Sequence, residues 1–274
     1  MASFLVNGWP AQSVDSGDRG LMYGDGVFRT LAARAGRPLN WDRHYRLLAH
    51  DCGRIGLPCP GETLLRGEVD RVAPGDAVVK VIVTRGVAGR GYAWPEDIEP
   101  TRIVAAYPPP APGSEAVAQE GVRVRRCDLA LAIQPRLAGV KSLNRLENVL
   151  ARAEWRDPAV REGLLADAEG RLVEGTMSNV FFTVGATLVT PALSRCGVNG
   201  AQRERVLDLA RAEAIACEVR DSGFDELRQA GEVFLTNSII GLWPVVALDD
   251  WRWAPGPVAR RLQRLIADDD ARRS

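Results

Sequence analysis

An α+β fold is the class predicted for this 274-residue sequence, on three observations. β-Branched runs bounded by turn residues read as strands, two later stretches read as hairpins, and apolar residues recur at helical spacing in several segments. These strands and helices do not alternate as regular βαβ units, which argues against a Rossmann domain or a (β/α)8 barrel.

In chain order, the pattern between Trp41 and Ile55 is helical, with Leu48 and Cys52 four apart on one face. The runs Ala77 to Thr84 and Arg102 to Tyr107 read as strands. The stretch Pro108-Pro109-Pro110-Ala111-Pro112-Gly113 removes amide donors and fixes φ, so neither helix nor ladder continues through it. A small N-terminal α/β domain over 1–107, a linker at 108–113 and a larger C-terminal domain over 114–274 are expected. Gly163 to Val173 reads as two strands about the turn Ala168-Glu169-Gly170, and Asn179 to Thr190 as a pair about Gly185. These hairpins imply an antiparallel, barrel-like sheet. Leu143, Leu146, Leu150 and Ala153 share helical spacing, as do Val206, Ala210 and Ala214, and Val258, Leu262 and Ile266. The charged tail Asp268 to Ser274 is expected to fray.

The formal charge is zero with acids and bases interleaved, so nucleic acid and membrane surfaces are not expected partners, and a small molecule is. The N-terminus lacks a basic region followed by an apolar run, and no segment reaches the roughly 18 to 20 apolar residues a membrane span needs. A soluble cytoplasmic protein is expected. Cys52, Cys59, Cys127, Cys196 and Cys217 are scattered without a CxxC, as reduced thiols are, and with only His44 and His50 beside them no metal is expected. GxxxxGK[ST], HExxH and GxSxG are absent, and the glycines from Arg85 to Tyr92 do not have dinucleotide spacing.

Two segments carry the chemistry. Gly139-Val140-Lys141-Ser142-Leu143-Asn144-Arg145-Leu146-Glu147 sets one lysine between a glycine turn and a helix, where desolvation favours the neutral amine that forms Schiff bases. Alone, such a lysine is ordinarily a solvated one. Some thirty residues on stands Glu174-Gly175-Thr176-Met177-Ser178-Asn179-Val180-Phe181. Together they resemble the fold-type IV family of pyridoxal 5′-phosphate (PLP) enzymes, which includes branched-chain and D-amino-acid aminotransferases and 4-amino-4-deoxychorismate lyase. The resemblance implies that Lys141 binds PLP covalently and shuttles the proton. It implies that Glu174 faces the pyridine nitrogen, that Asn179 belongs to the cofactor site, and that the protein is a homodimer. Gly197-Val198-Asn199-Gly200-Ala201-Gln202-Arg203 resembles the family's phosphate turn, with amides of Ala201 and Gln202. Leu235-Thr236-Asn237-Ser238-Ile239 resembles the second phosphate loop, with the Ser238 hydroxyl and the Ile239 amide.

One departure matters. The family commonly places a phosphate-binding arginine three residues after a histidine, whereas His44 is followed at that spacing by Leu47; Arg46 and Arg43 flank the place, and Arg46 is the candidate cation. Within the family, Gly89-Arg90-Gly91-Tyr92 and the Asn144-Arg145-Leu146 that follows Lys141-Ser142-Leu143 look like the lyase branch, which makes 4-aminobenzoate for folate synthesis. Transamination of D- or branched-chain amino acids is the alternative. A substrate with two carboxylates calls for guanidinium forks. Arg90 and Arg29 are the first candidates, with Tyr107, Asn144 and Arg145 behind them.

Overall fold

The computed structural model describes residues 3–110 and 114–273, so Ala111-Pro112-Gly113 of the proline-rich stretch lie outside the described residues. The chain forms two compact units, one of residues 3–110 with 140–144, the other of residues 114–139 with 145–273. Lys141 therefore belongs to the first unit, although it lies beyond the proline-rich stretch.

The first unit contains β1 (Ser3–Val6), β2 (Trp9–Pro10), α1 (Arg19–Tyr23), β3 (Gly26–Arg34), β4 (Arg37–Pro38), α2 (Trp41–Arg54), α3 (Glu62–Val72), β5 (Ala77–Thr84) and β6 (Thr101–Tyr107). Its six strands lie in the order β2-β1-β6-β5-β3-β4, all antiparallel. Side chains alternate across each strand, so the register fixes two faces. Val27, Leu31, Val79, Val81, Val83 and Val104 join Leu48 and Cys52 of α2 and Leu65 and Val69 of α3 in one core. Phe28, Thr30, Lys80, Ile82 and Ile103, of the other parity, occupy the opposite face and are only partly buried. Residues 141–143 run along the start of β3: Phe28 N–H donates to the Lys141 carbonyl at 3.0 Å and Leu143 N–H to the Gly26 carbonyl at 2.9 Å.

The second unit contains α4 (Ser114–Glu120), β7 (Val122–Leu131), α5 (Leu146–Arg152), β8 (Val160–Asp167), β9 (Leu172–Gly175), β10 (Asn179–Val184), β11 (Thr187–Thr190) and α6 (Ala201–Ala212). It continues with β12 (Cys217–Val219), α7 (Phe224–Arg228), β13 (Val233–Asn237), β14 (Gly241–Leu248), β15 (Trp251–Arg252) and α8 (Pro257–Arg273). Its strands form a curled half-barrel in the order β12-β11-β10-β13-β14-β7-β8-β9, with β15 on β14. The two expected hairpins, β8–β9 and β10–β11, are antiparallel. Three joins, β11–β12, β14–β7 and β7–β8, are parallel, because the chain crosses over between those strands instead of turning back. Both sheet faces are covered. Phe182 points into a cluster with Leu164, Leu235 and Val245, while its neighbour Phe181 joins Val206, Phe234, Leu262 and Ile266 beneath α6 and α8.

Three local expectations need correction. From Asp268 to Arg273 the tail does not fray: α8 runs to Arg273, with Asp269 and Asp270 paired to Arg205 of α6 at 2.7 and 2.8 Å, and Ser274 lies outside the described residues. Ala214 lies past the end of α6 at φ 53°, outside the helix its spacing suggested. Leu146 and Leu150 of α5 are exposed, 69% and 53%, with Val149 beside them at 60%, so this apolar stripe faces away from the unit's own core.

Candidate functional site

The Lys141 ammonium sits 4.7 Å from the centroid of the Phe28 ring, and Lys80 Nζ lies 4.6 Å from the same centroid. Lys80 is half-buried, and desolvation lowers its pKa. Sequence reasoning passed over Lys80, although its signal was present: a single cation interrupts Val78-Val79-Lys80-Val81-Ile82-Val83, on the parity opposite to Val79, Val81 and Val83. Two lysine amines thus lie against the Phe28 ring, which stands on the side of the sheet away from α2 and α3.

Arg29 is on the other side. Strand parity sends it to the helix-facing core, where it is 2% exposed, and its Nη2 donates to Asp51 Oδ2 and, at 3.2 Å, to the Leu47 carbonyl. The reading of Arg29 as a clamp for a substrate carboxylate is therefore corrected: its guanidinium is engaged within the core. Asp51, fully buried on α2, also accepts the Lys141 N–H at 3.1 Å. His44 is buried nearby, and desolvation, reinforced by the positive charges of Arg29, Lys141 and Arg43, pushes its pKa down to about 3. It is the neutral imidazole at ordinary pH. The helical turn of α2 buries Leu47 and leaves Arg46, the candidate cation, exposed.

Arg90 is exposed, with no hydrogen bond or ion pair among the described residues. Its loop is anchored just beyond it. Arg19, itself 3% exposed, donates to the carbonyls of Gly91, Tyr92 and Ala93 at 2.8, 2.9 and 3.4 Å, and pairs with Asp25 at 2.9 Å. Asp25 also takes Arg85, whose guanidinium lies 3.9 Å from the Trp94 ring centroid. The Gly91 N–H donates to the Tyr23 hydroxyl at 3.2 Å. Asn144 Nδ2 donates to the Gly24 carbonyl at 3.3 Å, and Tyr107 stands edge-on to Phe4 at the end of β6.

In the second unit Glu174 is 4% exposed on β9, and its Oε2 accepts the Val198 N–H at 2.8 Å. The next turn is built tightly around Asn179, whose Nδ2 donates to the Val198 carbonyl at 2.8 Å and whose Oδ1 accepts the Gly200 N–H at 3.2 Å. A Cβ on Gly200 would fall 2.3 Å from that Oδ1, and one on Gly197, at φ +83°, would strike Val173 at 2.6 Å, so both positions require glycine. Gly200 caps α6 without a side-chain acceptor, which leaves the first-turn amides of Ala201 and Gln202 open to an anion. Ser238 is half-buried in the turn between β13 and β14. The Ile239 amide, expected to face a phosphate, instead donates to Asn237 Oδ1 at 2.8 Å, which closes that turn. Arg145 Nη1 donates to Asn148 Oδ1 at 3.3 Å. Sequence reasoning also passed over Glu162. This carboxylate, 1% exposed, accepts from the Thr176 and Met177 amides and the Thr176 and Ser178 hydroxyls, fixing the bend between Glu174 and Asn179.

The class defined by this fold and these segments is that of the class IV amino-transferases, whose family model matches residues 26–248. The chain belongs to that family. It is similar to the 4-amino-4-deoxychorismate lyase of Pseudomonas aeruginosa, whose crystal structure superposes with a TM-score of 0.93 at 47% identity, covering 97% of this chain and 98% of that one. It is 32% identical to the aminodeoxychorismate lyase of Vibrio harveyi over 95% of this chain and 98% of the relative. It is also 31% identical to a putative branched-chain-amino-acid aminotransferase of Methanocaldococcus jannaschii over 85% of this chain and 81% of the relative.

Proposed function

We propose that this chain is a PLP-dependent lyase that converts 4-amino-4-deoxychorismate to 4-aminobenzoate and pyruvate, a step of folate biosynthesis. The observation that carries the reading is the 47% identity to the Pseudomonas lyase along essentially the whole of both chains. The residues present fit PLP. Buried Glu174 suits a protonated ring nitrogen, and the α6 N-terminus suits a phosphate. Gln202 Nε2 and Thr236 Oγ1, close in the fold to the Asn179 turn, are buried without a hydrogen-bond partner among the described residues. When bound, PLP supplies an electron sink for the carbanion at the substrate carbon that bears nitrogen.

The chain's own residues do the rest. Lys141 would hold the cofactor, and its amine removes the proton from C4 of the substrate ring. The electron pair left behind expels the enolpyruvyl oxygen from the adjacent carbon, and the ring becomes aromatic. Lys141 returns the proton to the departing methylene carbon, which completes pyruvate. Glu174 holds the proton on the pyridine nitrogen. Asn179 sets the Val198–Gly200 turn, the Ala201 and Gln202 amides and the Ser238 hydroxyl take the phosphate, and Ile239 shapes that loop through its bond to Asn237. Lys80, against the same Phe28 ring as Lys141, is assigned one substrate carboxylate, and Arg90, on its anchored loop, the other.

Purified enzyme given 4-amino-4-deoxychorismate and no 2-oxo acid is expected to release pyruvate, read by coupled lactate dehydrogenase. Lys80→Met should raise KM by about 10- to 100-fold, the equivalent of one lost charge-assisted contact. Acceptor-dependent transamination of D-alanine or branched-chain amino acids, without pyruvate release, would overturn the reading. A homodimer is also part of the proposal, supported by the exposed Leu146, Val149 and Leu150 stripe. A monomer mass at sedimentation equilibrium would remove it. Among the described residues no helix is long and apolar enough to cross a membrane, and the five cysteines are free thiols. A cytoplasmic location accords with both.

A further inference from the structure

We infer that Asp51, held by Arg29, is a positioning residue that sets the backbone of Lys141. The inference rests on Lys141 being the reactive lysine of the proposed function. Three observations within the first unit carry it. Lys141 is fixed through its main chain on both sides: its carbonyl takes the Phe28 N–H at 3.0 Å, and its N–H donates to Asp51 Oδ2 at 3.1 Å. That same oxygen receives Arg29 Nη2, and the two side chains are 1% and 3% exposed. Arg29 in turn holds the Leu47 carbonyl at 3.2 Å, one turn before Asp51 on α2.

A buried ion pair is an expensive way to hold a helix on a strand, because two charges lose their water. What it provides here is direction. The carboxylate is locked by a guanidinium from β3, so its oxygen stays where the Lys141 amide meets it. The pair occupies one face of the sheet and the Lys141 ammonium the other, beside Phe28. Asp51 and Arg29 therefore act on the reactive amine through the main chain, without touching substrate.

The test separates positioning from stability with two double variants, each free of buried charge. R29M/D51L replaces the pair by apolar groups and removes the acceptor for the Lys141 amide. R29M/D51N removes the charges and keeps an acceptor oxygen at the same place. In the absence of cofactor, amide hydrogen exchange of the peptide containing Lys141 should accelerate about tenfold or more in R29M/D51L relative to R29M/D51N, as for a lost amide hydrogen bond. In the loaded enzyme, kcat of R29M/D51L should fall about 10- to 100-fold with KM within about threefold, the size expected for a misplaced reacting group. R29M/D51N should recover most of that loss. Equal exchange and equal kcat in the two variants, at equal melting temperature, would overturn the inference. If both variants and the parent lack lyase activity while the exchange difference stands, the functional reading fails and the positioning role does not.

Discussion

Replacing Lys141 by alanine is expected to lower turnover by about 10⁴-fold or more. Under the proposed function the substitution removes both the amine that would attach the cofactor and the base that would carry the proton, and general acid–base catalysis alone is worth roughly 10² to 10⁴. The fold should survive. Lys141 is only partly buried, and its structural bonds to Asp51 and Phe28 use the main chain, which alanine retains. An unchanged melting temperature beside lost pyruvate release is therefore the expected pair of results. Borohydride treatment of the parent enzyme followed by peptide mapping should put the reduced adduct on Lys141. Turnover retained within about tenfold in the alanine variant would mean that another amine does this chemistry. Lys80 would then be the first to examine, because it faces the same aromatic ring with a depressed pKa.

What the sequence made legible follows from how local each signal is. The helix from Trp41, the strand Ala77–Thr84 and the two hairpins are written in short-range periodicity and turn chemistry, and they stand where expected. The segments holding Lys141, Glu174 and the 197–203 turn stand out in the sequence because each is a contiguous run, and their roles at a cofactor belong to the proposed function. Arg29 was misread for an instructive reason. It was judged by its charge, whereas Val27-Phe28-Arg29-Thr30-Leu31 already alternates so that Arg29 shares a face with Val27 and Leu31. Its partner Asp51 lies 22 residues away on another element, and no local rule joins them. Glu162 was invisible for the same reason: its role is to accept four hydrogen bonds from a bend 14 to 16 residues later. Long-range polar pairing decides these positions, and periodicity does not encode it.

The tail shows the same failure on the scale of stability, and it yields the second large expected effect. Arg205 is 3% exposed on α6 and engages Asp269 through Nε at 2.9 Å, Asp270 through Nη1 at 2.8 Å and the Ile266 carbonyl through Nη2 at 2.9 Å. The two carboxylates are 12% exposed, too buried to be treated as a surface pair. Arg205→Met removes the cation and leaves adjacent carboxylates against an apolar helix face, at a cost of about 3 kcal/mol or more. For a chain of this size that corresponds to a melting temperature lower by roughly 6 to 12 °C, measurable by calorimetry. Deleting residues 268–274 should cost a similar amount, since it strands the buried guanidinium. Combining the two removes both halves of one network, so the combined variant should lose clearly less than the sum. Strict additivity, or a deletion with no effect on melting, would show that the last turns of α8 hold nothing in place.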